Sequence, residues 1–211
     1  KTNTAQQLQA QLASPQFVSN KVFRQSLFGD HPYARTGATP ESLPNIDRAA
    51  IAAFHSTYYR PNNAFLVVVA DAAPEAVFAA AEQAFGSWAR AAVPETKAPA
   101  MQVVKGRRLV FVQRPNSVQS SISVGNFSSK RDDARWYTLQ LTNQIDGAAF
   151  DSRLVRNIRE EKGYSYGVSS SFAYGKGPGA FRTGGDIVGD KTDAALVEFM
   201  TSGPVMIQVL E

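Results

Sequence analysis

The sequence has 211 residues, 44% of them hydrophobic and 19% charged, the make-up of a packed protein with room for one large or two small domains. It contains no cysteine, which excludes disulfides, thiol catalysis and cysteine-ligated zinc, and only two histidines, His31 and His55. The net charge of +4 is spread as eight basic against seven acidic residues over 1–100 and fourteen against eleven over 101–211, too mild for a nucleic-acid footprint.

The longest apolar run, Ala64–Ala70, is seven residues, far from the roughly 20 that a membrane-spanning helix needs. The N-terminus shows no basic, then apolar, then small-residue pattern of a signal peptide. The chain opens at Lys1 inside a helical pattern and without a Met, as expected of a processed or truncated protein.

In chain order, residues 4–13 favour a helix with Leu8 and Leu12 one turn apart. Residues 16–28 favour a second, with Phe17, Val18, Val22 and Phe28 recurring at helical spacing and Gly29 as its stop. A loop rich in Pro and Gly follows, and then a helix from Asp47 to Tyr59 with Ile51, Phe54 and Tyr58 on one face. After the turn RPNN, the β-branched run AFLVVVA reads as a strand buried on both faces. DAAP opens a helix with Val77, Phe78, Ala81 and Phe85 directed inward.

Residues 91–105 are rich in Pro and Ala and lack periodicity, which marks a linker. RRLVFVQ and SSISVGNFS read as strands, followed by a helix near 133–146 and another from about Phe150 to Lys162. YSYGVSSSFAY and GAFRTGGDIV form a strand pair around a Gly-Lys-Gly-Pro-Gly turn, and Asp190 or Thr192 caps a last helix reaching Met200. Helices with a mixed or antiparallel sheet in each half make the fold class α+β.

Hydrolytic zinc wants three nitrogen or oxygen ligands and an open position. His-Glu-x-x-His and His-x-x-Glu-His are both absent, and His31 and His55 read as a turn residue before Pro32 and a helix side chain beside Phe54 and Tyr58. No Gly-x-Ser-x-Gly elbow occurs, and the glycine-rich stretches GKGPG and TGGD read as hairpin turns rather than phosphate loops. Arg153, Arg156, Arg159 and Lys162 recur every three residues along one helix, opposite a buried side of Leu154, Val155 and Ile158. Arg153, Arg156 and Lys162 read as a solvated face. Arg159 stands apart because Tyr166 follows a Gly163 corner at the start of a strand. A forked guanidinium and a rigid phenol hydroxyl converging there suit the carbonyl oxygens of an extended peptide, or the oxyanion of its hydrolysis.

The stretch GAAFDSRLVRNIREEKGYSYGV resembles the second-domain signature of the inverted-zinc metalloproteases, the family of pitrilysin, insulin-degrading enzyme and mitochondrial processing peptidase. LFGDHPYARTGATPESLPNID and HSTYYRPNNAFLVVVAD are similar to the later part of that family's first domain. The resemblance covers roughly residues 15–200. It implies two similar α/β sandwich-type domains, the first incomplete: residues 1–92 as the end of domain one, 93–106 as linker, and 107–211 as an incomplete domain two with an atypical tail, 201–211.

By the same resemblance, Arg159 and Tyr166 match the family's substrate-holding Arg and Tyr. No residue matches the zinc ligands or the general base, which would lie before Lys1. The implied function is the substrate-holding, non-catalytic portion of a zinc metalloendopeptidase, inactive alone and without a cofactor of its own, of bacterial type. Zinc is expected in the full-length enzyme or in a partner subunit. The implied partners are an extended peptide and a zinc-bearing family member in a homo- or hetero-dimer; neither nucleic acid nor a membrane span is expected. The family occurs both in the cytoplasm and outside it. An alternative is a structural or assembly subunit of the same family without substrate contact; a nucleic-acid binder using the Arg153–Lys162 stripe is a third reading. The stretch Leu196–Glu211 resembles a strand region of nucleoside diphosphate kinases, but nothing else does, so it reads as a junction and implies no kinase activity.

Overall fold

The structure is a computed structural model and describes residues 1–101 and 106–202. Its elements in chain order are α1 (Thr2–Leu12), α2 (Pro15–Phe28), α3 (Arg48–Tyr58), α4 (Pro74–Phe85), β1 (Gln119–Phe127), α5 (Trp136–Asn143), α6 (Arg153–Val155), β2 (Ser165–Ala173), β3 (Ala180–Val188) and α7 (Thr192–Ser202). They fall into two compact units: Lys1–Ala5 with Ala38–Ala98, and Gln6–Gly37 with the residues from Pro99 on. The mixture of helices with an antiparallel sheet is α+β, as the element pattern implies.

The second unit is built on a three-stranded antiparallel sheet in the order β1-β3-β2. Alternation along each strand sends successive side chains to opposite faces. On one face Ile122, Val168 and Ile187 meet Leu154, Val155 and Ile158 of the α6 region and Ala195 and Phe199 of α7. Trp136 and Leu139 of α5 extend this helical layer over Phe172 and Phe181. The opposite face of β1 receives α2. The Ser19 and Ser123 hydroxyls are 2.7 Å apart, and Gln16 Nε2 donates to Asp186 Oδ2 at 2.8 Å. Gly125 is needed here, because a Cβ at that position would lie 2.9 Å from Phe23 Cζ and closer still to the Phe181 carbonyl.

The ends of α2 follow its sequence. Ser14 Oγ accepts the Phe17 N–H at the N-terminus, and Gly29 takes φ +54° at the C-terminus. Leu27 and Phe28 then pack with Ala180, Phe127 and Tyr33.

Two helices of this unit end differently from the sequence expectation. The pattern predicts continuous helices over 133–146 and 150–162. Instead α5 widens into a π-helical turn at Gln144–Ala148, and α6 widens into another at Arg156–Glu161. Ala149 N–H reaches Gln144 O at 3.3 Å, and Lys162 N–H reaches Asn157 O at 3.1 Å, each five residues back. The first widening lies where Gly147 presses on β2: a Cβ there would meet Ser170 Oγ at 2.3 Å.

In the first unit Asp47 caps α3 by accepting the Ala50 N–H at 2.8 Å, and Asn62 Nδ2 donates to Ala91 O at 3.1 Å. The expected strand over 64–70 has no ladder partner, and its Phe65, Val67 and Val69 are 92%, 72% and 95% exposed. The expected inward faces of α3 and α4 also stand open at Ile51, Phe54, Phe78 and Phe85. A strand exists through its neighbours' backbone groups, and an apolar helix face is buried only against another layer. Among the described residues this unit supplies helices and no sheet.

The same correction holds for residues 107–113 of the second unit, an expected strand that pairs with nothing and exposes Leu109 and Phe111. The kinase-like stretch begins as helix, not strand, over Leu196–Ser202; residues 203–211 lie outside the described residues, as do 102–105 of the expected linker.

Candidate functional site

The site grows from the spacing of three apolar residues. Leu154, Val155 and Ile158 are all buried, as the stripe predicts, and they seat the α6 region on the sheet. That seating leaves Arg153 and Arg156 exposed and Arg159 half-buried. Lys162 is not a free cation: its Nζ lies 3.2 Å from Glu198 Oε1, while Asn157 Nδ2 donates to Glu198 Oε2 at 2.7 Å. These bonds tie the π-helical turn to α7. The Asn157 hydrogen bond, with the Lys162 charge beside it, holds the Glu198 carboxyl below the usual carboxylate range, and Glu198 in turn raises Lys162.

The Arg159 guanidinium carbon lies 4.7 Å from the centroid of the Phe150 ring. Phe150 is 72% exposed, held out at the end of the Gly-Ala-Ala step. Gly163, at φ +64°, then turns the chain. Tyr164 N–H returns to Ile158 O at 2.9 Å, and Tyr164 O accepts the Val188 N–H, which starts the next strand.

The register slips between Ser165 and Val168. Ser165 pins this bulge: its buried hydroxyl lies 2.6 Å from Asp186 O and accepts the Gly167 N–H at 3.1 Å. A bulge re-aims the side chain beside it, and Tyr166 is 88% exposed. Arg159 and Tyr166 therefore lie on either side of the Gly163 turn, the first half-buried and the second exposed. Among the described residues no hydrogen bond or ring contact joins the two side chains.

Behind the corner lies a second polar group that the sequence does not reveal. Asp146 is 6% exposed in the first π-helical turn, and burial pushes its carboxyl up while the Arg153 charge opposes the shift. Ser152, also buried, has a hydroxyl with no partner. Phe150 belongs to the quoted signature, but its place against Arg159 is not visible in the sequence. Nine residues separate it from Arg159, which on a regular helix would set the two on opposite sides; the break at 149–152 brings them together.

The donor set does not fit zinc. His31 is buried, its Nδ1 accepts the Tyr33 N–H at 3.1 Å, and its ring packs 4.6 Å from that of Tyr33. His55 stacks on Tyr59 at 4.7 Å and belongs to the other unit. Among the described residues no group of three or more His, Asp or Glu side chains could hold a metal ion. No described helix is long and apolar enough to cross a membrane.

The chain matches the family described as the peptidase M16 inactive domain over residues 45–202. It belongs to that family, and is thus a non-catalytic portion of an M16-type protein. An uncharacterized zinc protease of Mycobacterium leprae is 26% identical over 161 residues, which is 74% of this chain but 36% of the relative. The crystal structure of a peptidase M16 inactive domain from Pseudomonas fluorescens superposes with a TM-score of 0.81 at 25% identity, covering 92% of this chain and 47% of that one. A protease from Helicobacter pylori shares the fold at a TM-score of 0.75 and 20% identity, over 89% of this chain and 47% of its own. The chain thus spans about a third of the M. leprae relative and about half of these solved chains.

Proposed function

We propose that this chain is the substrate-holding portion of a zinc-dependent metalloendopeptidase, and that Arg159 and Tyr166 grip the backbone of an extended peptide. The observation that carries the reading is the corner itself. It offers a guanidinium laid on the Phe150 ring and an exposed Tyr166 at a helix–bulge–strand junction, and among the described residues neither side chain makes an ion pair or a hydrogen bond. Carbonyl oxygens of an extended chain are the acceptors that such donors fit. The chain's own histidines are committed elsewhere, so zinc and the general base belong to the rest of the longer protein or to a zinc-bearing partner subunit, as the names of the relatives support.

The open apolar surfaces agree with this division. By this reading residues 1–92 end a first peptidase-like domain, 93–106 are a linker and 107–211 are most of a second, with Gln6–Gly37 of the first stretch packing in the unit that resumes at Pro99. The run Ala64–Ala70, apolar on both faces and exposed on both, is a central strand of a sheet whose other strands come from the remainder of the protein.

The test is made in the complete protein with its zinc-bearing part. Arg159→Ala lowers kcat/KM for a quenched fluorogenic peptide by at least about tenfold, the scale of a hydrogen bond from a charged donor, and Tyr166→Phe lowers it by about threefold. Unchanged kcat and KM in both variants removes the assignment. Cleavage left intact while the subunits separate in size-exclusion chromatography would instead favour an assembly role.

A further inference from the structure

We infer that Phe150 is a positioning residue of this same site: its ring orients the Arg159 guanidinium for the peptide. The inference rests on the substrate-holding reading above. Four cations line the stripe, and they differ in commitment. Arg153 and Arg156 are exposed, with no ring beneath them among the described residues, and Lys162 is paired with Glu198. Arg159 alone is laid against an aromatic ring, at 4.7 Å, and among the described residues it makes no ion pair or side-chain hydrogen bond.

An aromatic ring is a suitable support because it attracts the guanidinium through its π-face and consumes none of its N–H donors. A carboxylate in the same place would take two of them. The backbone that carries the ring is held in place. Ala149 N–H is bonded to Gln144 O at 3.3 Å and Ser152 N–H to Ala149 O at 3.2 Å, so Phe150 sits on a closed backbone turn. It lies in none of the buried clusters of the core, and at 72% exposure its conservation of volume matters little to stability. The part of the ring left open by Arg159 forms an apolar wall beside the donors.

The experiment compares Phe150→Leu and Phe150→Trp in the complete protein, alone and combined with Arg159→Ala, using a quenched fluorogenic peptide of unstructured mixed sequence. Leu stays apolar and loses the π-face; Trp keeps the face. Expected are a fall in kcat/KM of about threefold for Phe150→Leu, near-native kinetics for Phe150→Trp, and no further loss when Phe150→Leu is added to Arg159→Ala. If Arg159→Ala is impaired but Phe150→Leu behaves as the native protein, the positioning role is wrong and the grip stands. Equal losses in Phe150→Leu and Phe150→Trp, or a full additional loss in the Arg159→Ala background, also overturn it. A silent Arg159→Ala brings down the grip and, with it, this inference.

Discussion

Two β-patterned runs of this protein meet opposite fates. Ala64–Ala70 is the more apolar, yet it pairs with nothing and its valines face water. Gln119–Phe127 carries three serines, a glycine and an asparagine, yet it forms a full ladder with β3 and buries Ile122 to 8% exposure. Apolar character makes a run worth burying; only neighbouring strands and a covering layer bury it. The sheet of the second unit has both, with helices on each face of β1, and so it can hold a polar corner rigid. The first unit has helices whose apolar faces stand open.

The sharpest way to break this contrast is amide exchange. In the complete protein the amides of residues 64–70 should become protected by several orders of magnitude relative to this chain alone, while those of β3 should change little. Equal exchange in the two forms would show that the run is not a strand of a completed sheet.

Next in size are core truncations. Ile158, fully buried, should cost about 2–5 kcal/mol as Ile158→Ala. Val69→Thr, at a site 95% exposed, should stay within about 0.5 kcal/mol in urea unfolding of this chain. A large loss at Val69 would mean that the first unit has packing the structure does not show.

Smaller, and confined to the packed unit, is Gly147→Ala. The new methyl would press on Ser170, whose Oγ already bonds Asn143, and should cost about 1–3 kcal/mol by urea unfolding. An unaltered midpoint would show that the π-helical turn can retreat from β2.

The smallest effect is electrostatic. Burial raises the Asp146 carboxyl in the folded state, so the fold binds its proton more tightly than the unfolded chain does. Its cost is absent below the unfolded carboxylate range, near pH 4, and develops as pH rises through the raised folded value. Asp146→Asn should therefore raise Tm by about 2 °C near neutrality and by nothing at pH below about 4. Glu198 works in the opposite sense: its lowered carboxyl contributes stability above the ordinary range, lost as pH falls through the depressed folded value. A Tm gain for Asp146→Asn that is the same at both pH values would deny Asp146 its buried charge.

Much of this was legible in the residues. The strand pair β2–β3, the buried side Leu154, Val155 and Ile158, and the Gly163 turn ahead of β2 all follow from local periodicity and turn chemistry. Local signals fix such features because the partners lie within a few dozen residues. Burial of AFLVVVA and strand pairing of RRLVFVQ do not follow from their hydropathy, which shows the need for a partner and not its presence. The π-helical turns escaped because nothing in a helical pattern counts five residues rather than four; Gly147 hinted only at close approach. With them went Phe150 and Asp146, which are placed by those turns.

The most direct measurement is photo-crosslinking of the complete protein with an unstructured peptide bearing benzophenone side chains, mapped by mass spectrometry. Crosslinks clustered on Phe150, Arg159 and the Tyr166 end of β2, and lost in Arg159→Ala, are the expected result. A crosslink map that leaves this corner empty while peptide is still cleaved would contradict the account.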